Sequence, residues 1–400
     1  MSTTFERIAA SALLRAAALT LAAVLAGCGG QEGGWRDHER PPGYQGVTYD
    51  VVPLSLGGKG DDAVVHHNSI TADGKVAGTL GTGDGSRHAF LYDGKKMIDL
   101  GTMGGTGSEA HAINQRGQVV GRAFGPGWSR AFLYDGTMHD LGNFGGADAL
   151  AADINESGQV TGYATSADGV RHAFLYRDGL LKQLQTPGTG SVGWVVNGGG
   201  QVAGDFDSNN HAQLALLDEA CGCVRLLGTL GGAESLVYGL NDAGQVIGVS
   251  DTGAGQRHAF LFRDGAMKDL GTLGGAGSFA AAVNEAGLVV GDADTAAGDA
   301  HAFLYDGTSL KDLGTLGGAA SRADSVNGVG QVVGFARTSR GEPRAFSWTA
   351  AEGMVDLNTR IPAAPRDLVL SGAGAVSDSG DIVAYSNMGL VLLRVRNTSK

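Results

Sequence analysis

The chain repeats itself. Its clearest unit runs His258-Ala259-Phe260-Leu261-Phe262-Arg263-Asp264-Gly265, then Asp269-Leu270-Gly271-Thr272-Leu273-Gly274-Gly275, then Ala282-Val283-Asn284-Glu285-Ala286-Gly287-Leu288-Val289-Val290-Gly291. His301-Ala302-Phe303 opens the next cycle. A repeat overrides the two-domain prior that 400 residues would otherwise carry, because each unit is one small module that buries its apolar face only against its neighbours. The His-Ala-Phe slot is filled by His88, Arg130, His172, His211, His258, His301 and Arg344, at gaps of 42, 42, 39, 47, 43 and 43 residues. An Asn-x-x-Gly slot begins at Asn114, Asn155, Asn197, Asn241, Asn284 and Asn327, with degenerate copies at residues 71–74 and 377–380. Together these mark eight units. The first opens at Tyr49 and the last ends in an apolar run at residues 390–395 that fills the His-Ala-Phe slot without its letters.

Each unit reads as four short strands, for which residues 267–270, 280–283, 288–290 and 301–305 serve as one set. Asn-x-x-Gly between the second and third suits a type I turn closed by a residue with positive φ, which glycine adopts without a Cβ clash. The Asp-Gly of Tyr305-Asp306-Gly307 suits a tight hairpin between the fourth strand and the next first strand. The 69 glycines therefore sit at fixed slots rather than in a low-complexity tract. Beyond the N-terminal leader, no stretch keeps a 3.6-residue period over three turns, so the fold class is all-β. The Ala-Phe-Leu-Tyr strand is apolar on both faces, as a strand covered on both sides is. Four-stranded units of about 43 residues packed face to face describe a β-propeller, here with eight blades. A seven-bladed ring in which the terminal units share a blade, and a parallel β-helix, are the alternatives. Ring closure protects edge strands that an open stack exposes.

The three motifs, recurring in order over about seven-eighths of the chain, resemble the HAF-type extracellular repeat family of bacteria. The resemblance implies an exported repeat protein and no particular substrate. The N-terminus agrees with export. Arg7 and Arg15 precede a short apolar run of small residues ending Leu25-Ala26-Gly27-Cys28. That end is similar to a bacterial lipoprotein signal, which implies cleavage before Cys28 and acylation of its thiol. Gly29 follows, where the sorting rule of such lipoproteins favours the outer membrane, with the domain facing the periplasm or the cell surface. Acyl chains anchor by burying CH₂ groups at about 0.8 kcal/mol each. The expected organisation is a signal peptide over residues 1–27, a flexible tether over 28–46 and a single propeller domain over 47–398. The net charge of −12 argues against nucleic acid and against adsorption on an anionic membrane surface.

Repetition also sorts the candidate sites. Catalytic residues need occur once, whereas packing residues occur once per blade. The HAF histidines are thus expected to make structural hydrogen bonds at a strand start, and Arg130 and Arg344 in the same slot could not ligate a metal. Outside that slot lie His66, His67, Glu109, His111 and His139, which form no recognisable acid–base or nucleophile set and are expected on exposed loops. Residues 205–210 alternate oxygen ligands as calcium sites do, but lack the glycine and later bidentate Glu of a full EF-hand loop, so a polar turn is expected. Cys221 and Cys223 are expected to form a local disulfide in an oxidising compartment or to stand reduced in a turn, with redox or metal use the sharper reading. No catalytic residue, metal site or cofactor-docking signature is assigned. The leading function is a non-enzymatic binding or scaffold module for a protein or glycan partner. The alternatives are a periplasmic hydrolase or lyase acting on a carbohydrate or peptide, and a structural envelope protein. Acids and histidines gathered at one end of the channel would favour the enzyme. A broad apolar or aromatic patch there, involving Trp128 or Trp194, would favour the binder.

Overall fold

The computed structural model describes residues 46–57, 63–186, 188–208 and 211–396; the side chains of residues 208, 211 and 212 are not among those described. These residues form eight antiparallel sheets arranged as the blades of a β-propeller. The parallel β-helix and the seven-bladed ring are thereby excluded. In blade 6 the strands run from the axis outward as Gly274–Val283, Val289–Thr295, Ala300–Tyr305 and Leu310–Asp312. Blades 2 to 7 share that order. In blade 1 the inner strand is reduced to bridges of Val64 to Thr79 and Ile70 to Val76.

The blades are offset by one strand from the units expected above. The HAF strand is third in its blade, not fourth, and the Asp-Gly hairpin joins the third strand to the outer strand of the same sheet. The Gly-Gly segment makes the step to the next blade. The offset has a simple cause. A tight hairpin can only join antiparallel neighbours in one sheet, so the step between blades must fall at the longer connection. It also explains ring closure. The N-terminal strand Tyr49–Leu54 pairs along its whole length with Gly389–Val395 and becomes the outer strand of blade 8. Tyr49 and Leu54 are buried in that seam. Arg360, from the segment leading into blade 8, reinforces it through the Val47 carbonyl at 3.4 Å and Glu352 at 3.2 Å.

The core is a series of apolar seams between blades. Each HAF phenylalanine (Phe90, Phe132, Phe174, Phe260, Phe303, Phe346) is fully buried in one of them. Polar side chains add a second tie. The turn asparagines Asn114, Asn155, Asn197, Asn241 and Asn284 each donate from Nδ2 to the backbone carbonyl of the corresponding asparagine one blade on, and Asn327 donates likewise to Ser377, at 2.8–3.1 Å. Serines at the start of several inner strands do similar work. Ser278 accepts from the Ala259 amide at 2.9 Å and donates to the Gly271 carbonyl at 2.6 Å, stitching blade 6 to blade 5.

Candidate functional site: the central channel

The repeated histidines serve the blades themselves. His88, His258 and His301 each hold, through Nδ1, the aspartate of their own blade's Asp-Leu-Gly motif (Asp99, Asp269 and Asp312) at 2.8–2.9 Å. Arg130 makes the same link to Asp140 at 3.3 Å, and His172 meets Gln183 at 3.1 Å. The side chain of His211 lies outside the described residues. Each of these described pairs joins the third strand to the outer strand of its own blade, so they share no common site.

The unrepeated residues lie elsewhere, on the inner strands. From blade 2 to blade 8 the ladder between the first two strands skips one residue at an equivalent place: His111, Ala152, Trp194, Tyr238, Ala281, Asp324 and Gly374. Each skip is a β-bulge, which leaves its residue unpaired and re-aims the side chain. Each bulged residue stands three positions before the turn Asn or Ser, and Asn68 holds that position in blade 1. The bulge also explains the glycine of the Val-Val-Gly motif. A Cβ on Gly121, Gly162, Gly204, Gly248, Gly291 or Gly334 would lie 1.8–2.0 Å from an inner-strand carbonyl oxygen. The backbone at the bulge is thus fixed by the repeat, while the side chain it presents is free to differ.

The resulting ring has two unlike arcs. Over blades 4 to 6 it is aromatic: Trp194, then Tyr238 tilted against Phe279 with centroids 4.6 Å apart. Trp194 donates from Nε1 to Asp205 on the second strand of its blade. Over blades 1 to 3 it is polar. His66 meets His111 edge-on at 5.8 Å, and His111 Nδ1 lies 2.8 Å from the Ala151 carbonyl. Asn68 donates to Asp153 Oδ1 at 3.0 Å, linking blade 1 to blade 3, and the Val196 amide donates to Oδ2 at 3.0 Å. Glu109 is gripped by Arg122 at 2.8 Å. Between the arcs, Arg322 and Asp324 pair at 2.7 Å and Tyr385 bonds the Val65 backbone.

Burial sets the ionisation of this ring. It lowers His66 to about 3, helped by His111 and His67, and it lowers His67 and His111 as well. It raises Asp153 to about 7 against the pull of its hydrogen-bond donors. It raises Asp205 to about 7 despite the Trp194 indole, and Asp292 to about 7 despite Arg322. Glu109 moves the other way: burial raises it, but Arg122, His111 and Arg87 outweigh burial and hold it below the usual range. Near neutral pH the polar arc therefore carries neutral imidazoles beside Asp153, a carboxyl whose ionisation burial disfavours.

Comparison with solved structures places this fold among propellers. No protein-family model and no curated protein matches the sequence. Solved structures do match. The Dos1 propeller aligns at TM-score 0.50 with 12% identity, covering 87% of this chain and 95% of its own. A prolyl endopeptidase aligns at TM-score 0.52 with 12% identity, over 84% of this chain and 54% of its own. The likeness is one of fold.

Other sequence candidates fall in different places. His66 and His67 lie in the turn segment of blade 1 but are only partly exposed, and Glu109 and His111 lie on the inner strand of blade 2, Gly107–Ile113, rather than on a loop. His139 is exposed on the outer strand of blade 2, 2.9 Å from Asp135. Trp128 lies away from the axis on the hairpin between the second and third strands of blade 2, under Arg130 at 4.9 Å. The acidic run from Asp205 begins on a strand, Gln201–Ser208, with Asp205 buried against Trp194; Asn209 and Asn210 lie outside the described residues. Among the described residues no group of three or more His, Cys, Asp or Glu could hold a metal ion. Cys221 and Cys223 are joined as a disulfide. Cys28, the signal peptide and nearly all of the tether lie outside the described residues. A depression of about 210 Å³ at the blade 7–8 seam is lined by Tyr49, Gln331, Glu352 and Arg360, which serve ring closure.

Proposed function

We propose that this chain is an exported, lipid-anchored binding module that holds a protein or polysaccharide partner at its central channel. One observation carries the reading. The repeated side chains are consumed in holding the ring together, while the bulge at each inner strand presents a side chain that the repeat leaves free. A ring of divergent side chains on a rigid scaffold is what a recognition surface requires. The aromatic arc of Trp194, Tyr238 and Phe279 offers flat apolar contact, and the polar arc opposite offers hydrogen-bonding groups, a pairing suited to glycans and to peptide loops. Leu25-Ala26-Gly27-Cys28 supports acylation of Cys28 and retention at the outer membrane.

The test is cross-linked capture by the anchored protein in its own envelope, read by mass spectrometry, with a glycan array beside it. A single stoichiometric protein or one glycan class, lost on Tyr238→Ser, is the expected result. Capture of nothing above background, together with a blank array, sinks the proposal.

A second reading has its own support. Acids and histidines do gather at the channel, and Asp153, near 7, has the ionisation of a proton-transfer group. A hydrolase or lyase acting on a carbohydrate or peptide would lose turnover on Asp153→Asn while keeping its ligand. A binding module shows no turnover to lose.

A further inference from the structure

We propose that the Cys221–Cys223 disulfide is a thiol–disulfide exchange site that oxidises paired cysteine thiols of an extended polypeptide. The disulfide lies in the hairpin between the third strand of blade 4, His211–Asp218, and the outer strand, Cys223–Leu226. Both cysteines are exposed, and their Cα atoms are 5.2 Å apart. Gly222 between them has φ of +65°, and apart from the two cysteines that flank it nothing lies within 4 Å of its Cβ position, so the tip is open to an approaching thiol.

The bond does little for the fold. A disulfide stabilises mainly by closing a loop in the unfolded chain, and the gain grows with loop length. Here the separation is two residues. The corresponding hairpins of blades 1, 2, 3, 5 and 6 turn on Asp-Gly pairs (Asp93-Gly94, Asp135-Gly136, Asp178-Gly179, Asp264-Gly265, Asp306-Gly307) with no crosslink. An exposed disulfide that braces nothing is of the labile kind.

Its surroundings depart from the repeat in a consistent direction. Leu226 stands where blades 1, 2, 5 and 6 carry Asp99, Asp140, Asp269 and Asp312. Val224 pairs with Leu217 and Leu226 with Ala215, and those partners pack toward blade 3 against Ala173 and Leu175. Directly opposed residues point to one face, so Val224 and Leu226 face blade 3 too. Across the cleft, Lys182 and Arg177 of blade 3 reach Glu219 of the blade 4 hairpin, and Leu180 lies between them in sequence. Leu180, Val224 and Leu226 are 71%, 40% and 57% exposed, an apolar strip beside the disulfide. The outer strand also has a free edge on which an extended segment can pair. On its other face Cys223 and Arg225 project together, placing a guanidinium where a departing thiolate is favoured. An extended segment with apolar residues beside its cysteines fits both features.

The exchange balances. One substrate thiolate attacks Sγ of Cys221 or Cys223, the Cys221–Cys223 bond breaks, and the displaced cysteine leaves as a thiolate that takes a proton. The second substrate thiolate attacks the substrate sulfur of the mixed disulfide. The products are a substrate disulfide and two protein thiols. Two electrons have passed to the protein, and a low-molecular-weight disulfide reoxidises it by the reverse exchange.

The test mixes the full-length oxidised protein with a reduced two-cysteine peptide bearing apolar flanks, and with one bearing Gly-Ser flanks. Acid quenching, alkylation and mass spectrometry follow both partners. The apolar peptide is expected to be oxidised at least tenfold faster than by a linear low-molecular-weight disulfide at equal concentration. Leu226→Asp, which restores the repeat residue, should remove most of its advantage over the Gly-Ser peptide. The Cys221→Ser/Cys223→Ser variant should be inactive yet melt within a few degrees of the parent. Oxidation no faster than by the linear disulfide overturns the proposal. So does an unchanged peptide preference in Leu226→Asp, or a melting temperature that collapses in the double variant.

Discussion

Asn241 donates a hydrogen bond from Nδ2 to the backbone carbonyl of Asn284, its counterpart one blade on, across 3.1 Å. The same side chain accepts the Gln245 amide through Oδ1 at 3.0 Å, which shapes its own turn. One residue type thus forms the local hairpin and ties it to the next blade. The same Nδ2 also donates to Gln245 Oε1 at 2.8 Å, so Asn241→Ala removes three bonds at a buried site and is expected to cost about 2–3 kcal/mol. Asn241→Asp keeps the acceptor but sets a buried carboxylate oxygen against the Asn284 carbonyl, so it should cost more than the alanine variant. Urea midpoints at constant slope check the ordering.

In blade 5 the bulge leaves no room for a Cβ on the glycine of the paired second strand. A Cβ on Gly248 would sit 1.9 Å from the Leu236 carbonyl oxygen. Gly248→Ala must push the bulged strand inward, at a cost of about 3 kcal/mol. Blade 8 carries Ala384 in that slot, paired with Ala373. Ala384 is fully buried, so Ala384→Gly should cost the backbone entropy of a glycine plus one buried methyl, about 1–2 kcal/mol in all. Thermal melts of the two variants give the comparison.

Stability should depend on pH in two opposed ways. Asp205 and Asp292 titrate near 7 when folded and near 4 when unfolded. Their contribution is full below about 4 and is lost as pH rises through 7. His66 is held near 3 when folded against about 6.5 unfolded, so its contribution is full above 6.5 and is lost as pH falls toward 3. Asp205→Asn, which keeps an oxygen for the Trp194 indole, should flatten the fall between about pH 4 and 7. His66→Phe should flatten the fall on the acid side. Melting temperature against pH for both variants is the measurement.

Closure depends on the first strand of the ring. Tyr49–Leu54 supplies the outer strand of blade 8 and buries Tyr49 and Leu54. A chain shortened to begin at residue 55 leaves Gly389–Val395 with a free edge. It is expected to unfold at much lower urea and to associate through that edge, which sedimentation detects.

The ring was legible in the sequence because its ties are repeated. The eleven-residue spacing of His258 and Asp269 is one blade's third-to-outer-strand pairing written out in sequence. Blade phase is written in the Asp-Gly pairs, because a tight hairpin joins strands of one sheet and so cannot be the step between blades. The pairing of Tyr49–Leu54 with Gly389–Val395 agrees with that phase. The channel was hidden for the opposite reason. Motif reading attends to columns that agree, and His111, Trp194, Tyr238 and Asp324 occupy one that does not. Aligning the units on their turn asparagines exposes that column three residues earlier. Glu109 and His111 read as loop residues because nothing local marks the bulge that draws the polar arc inward.

The most direct test blocks the channel without touching the ties. Ala281 is a bulged residue between the aromatic and charged sectors, and Ala281→Arg fills the channel from a position that bears none of the interblade bonds named above. Partner retention and melting temperature are measured together on this variant and on Asn241→Ala. The expected result is lost retention with unchanged melting for Ala281→Arg, and lowered melting with retained binding below the transition for Asn241→Ala. Full retention with the channel blocked would contradict the account.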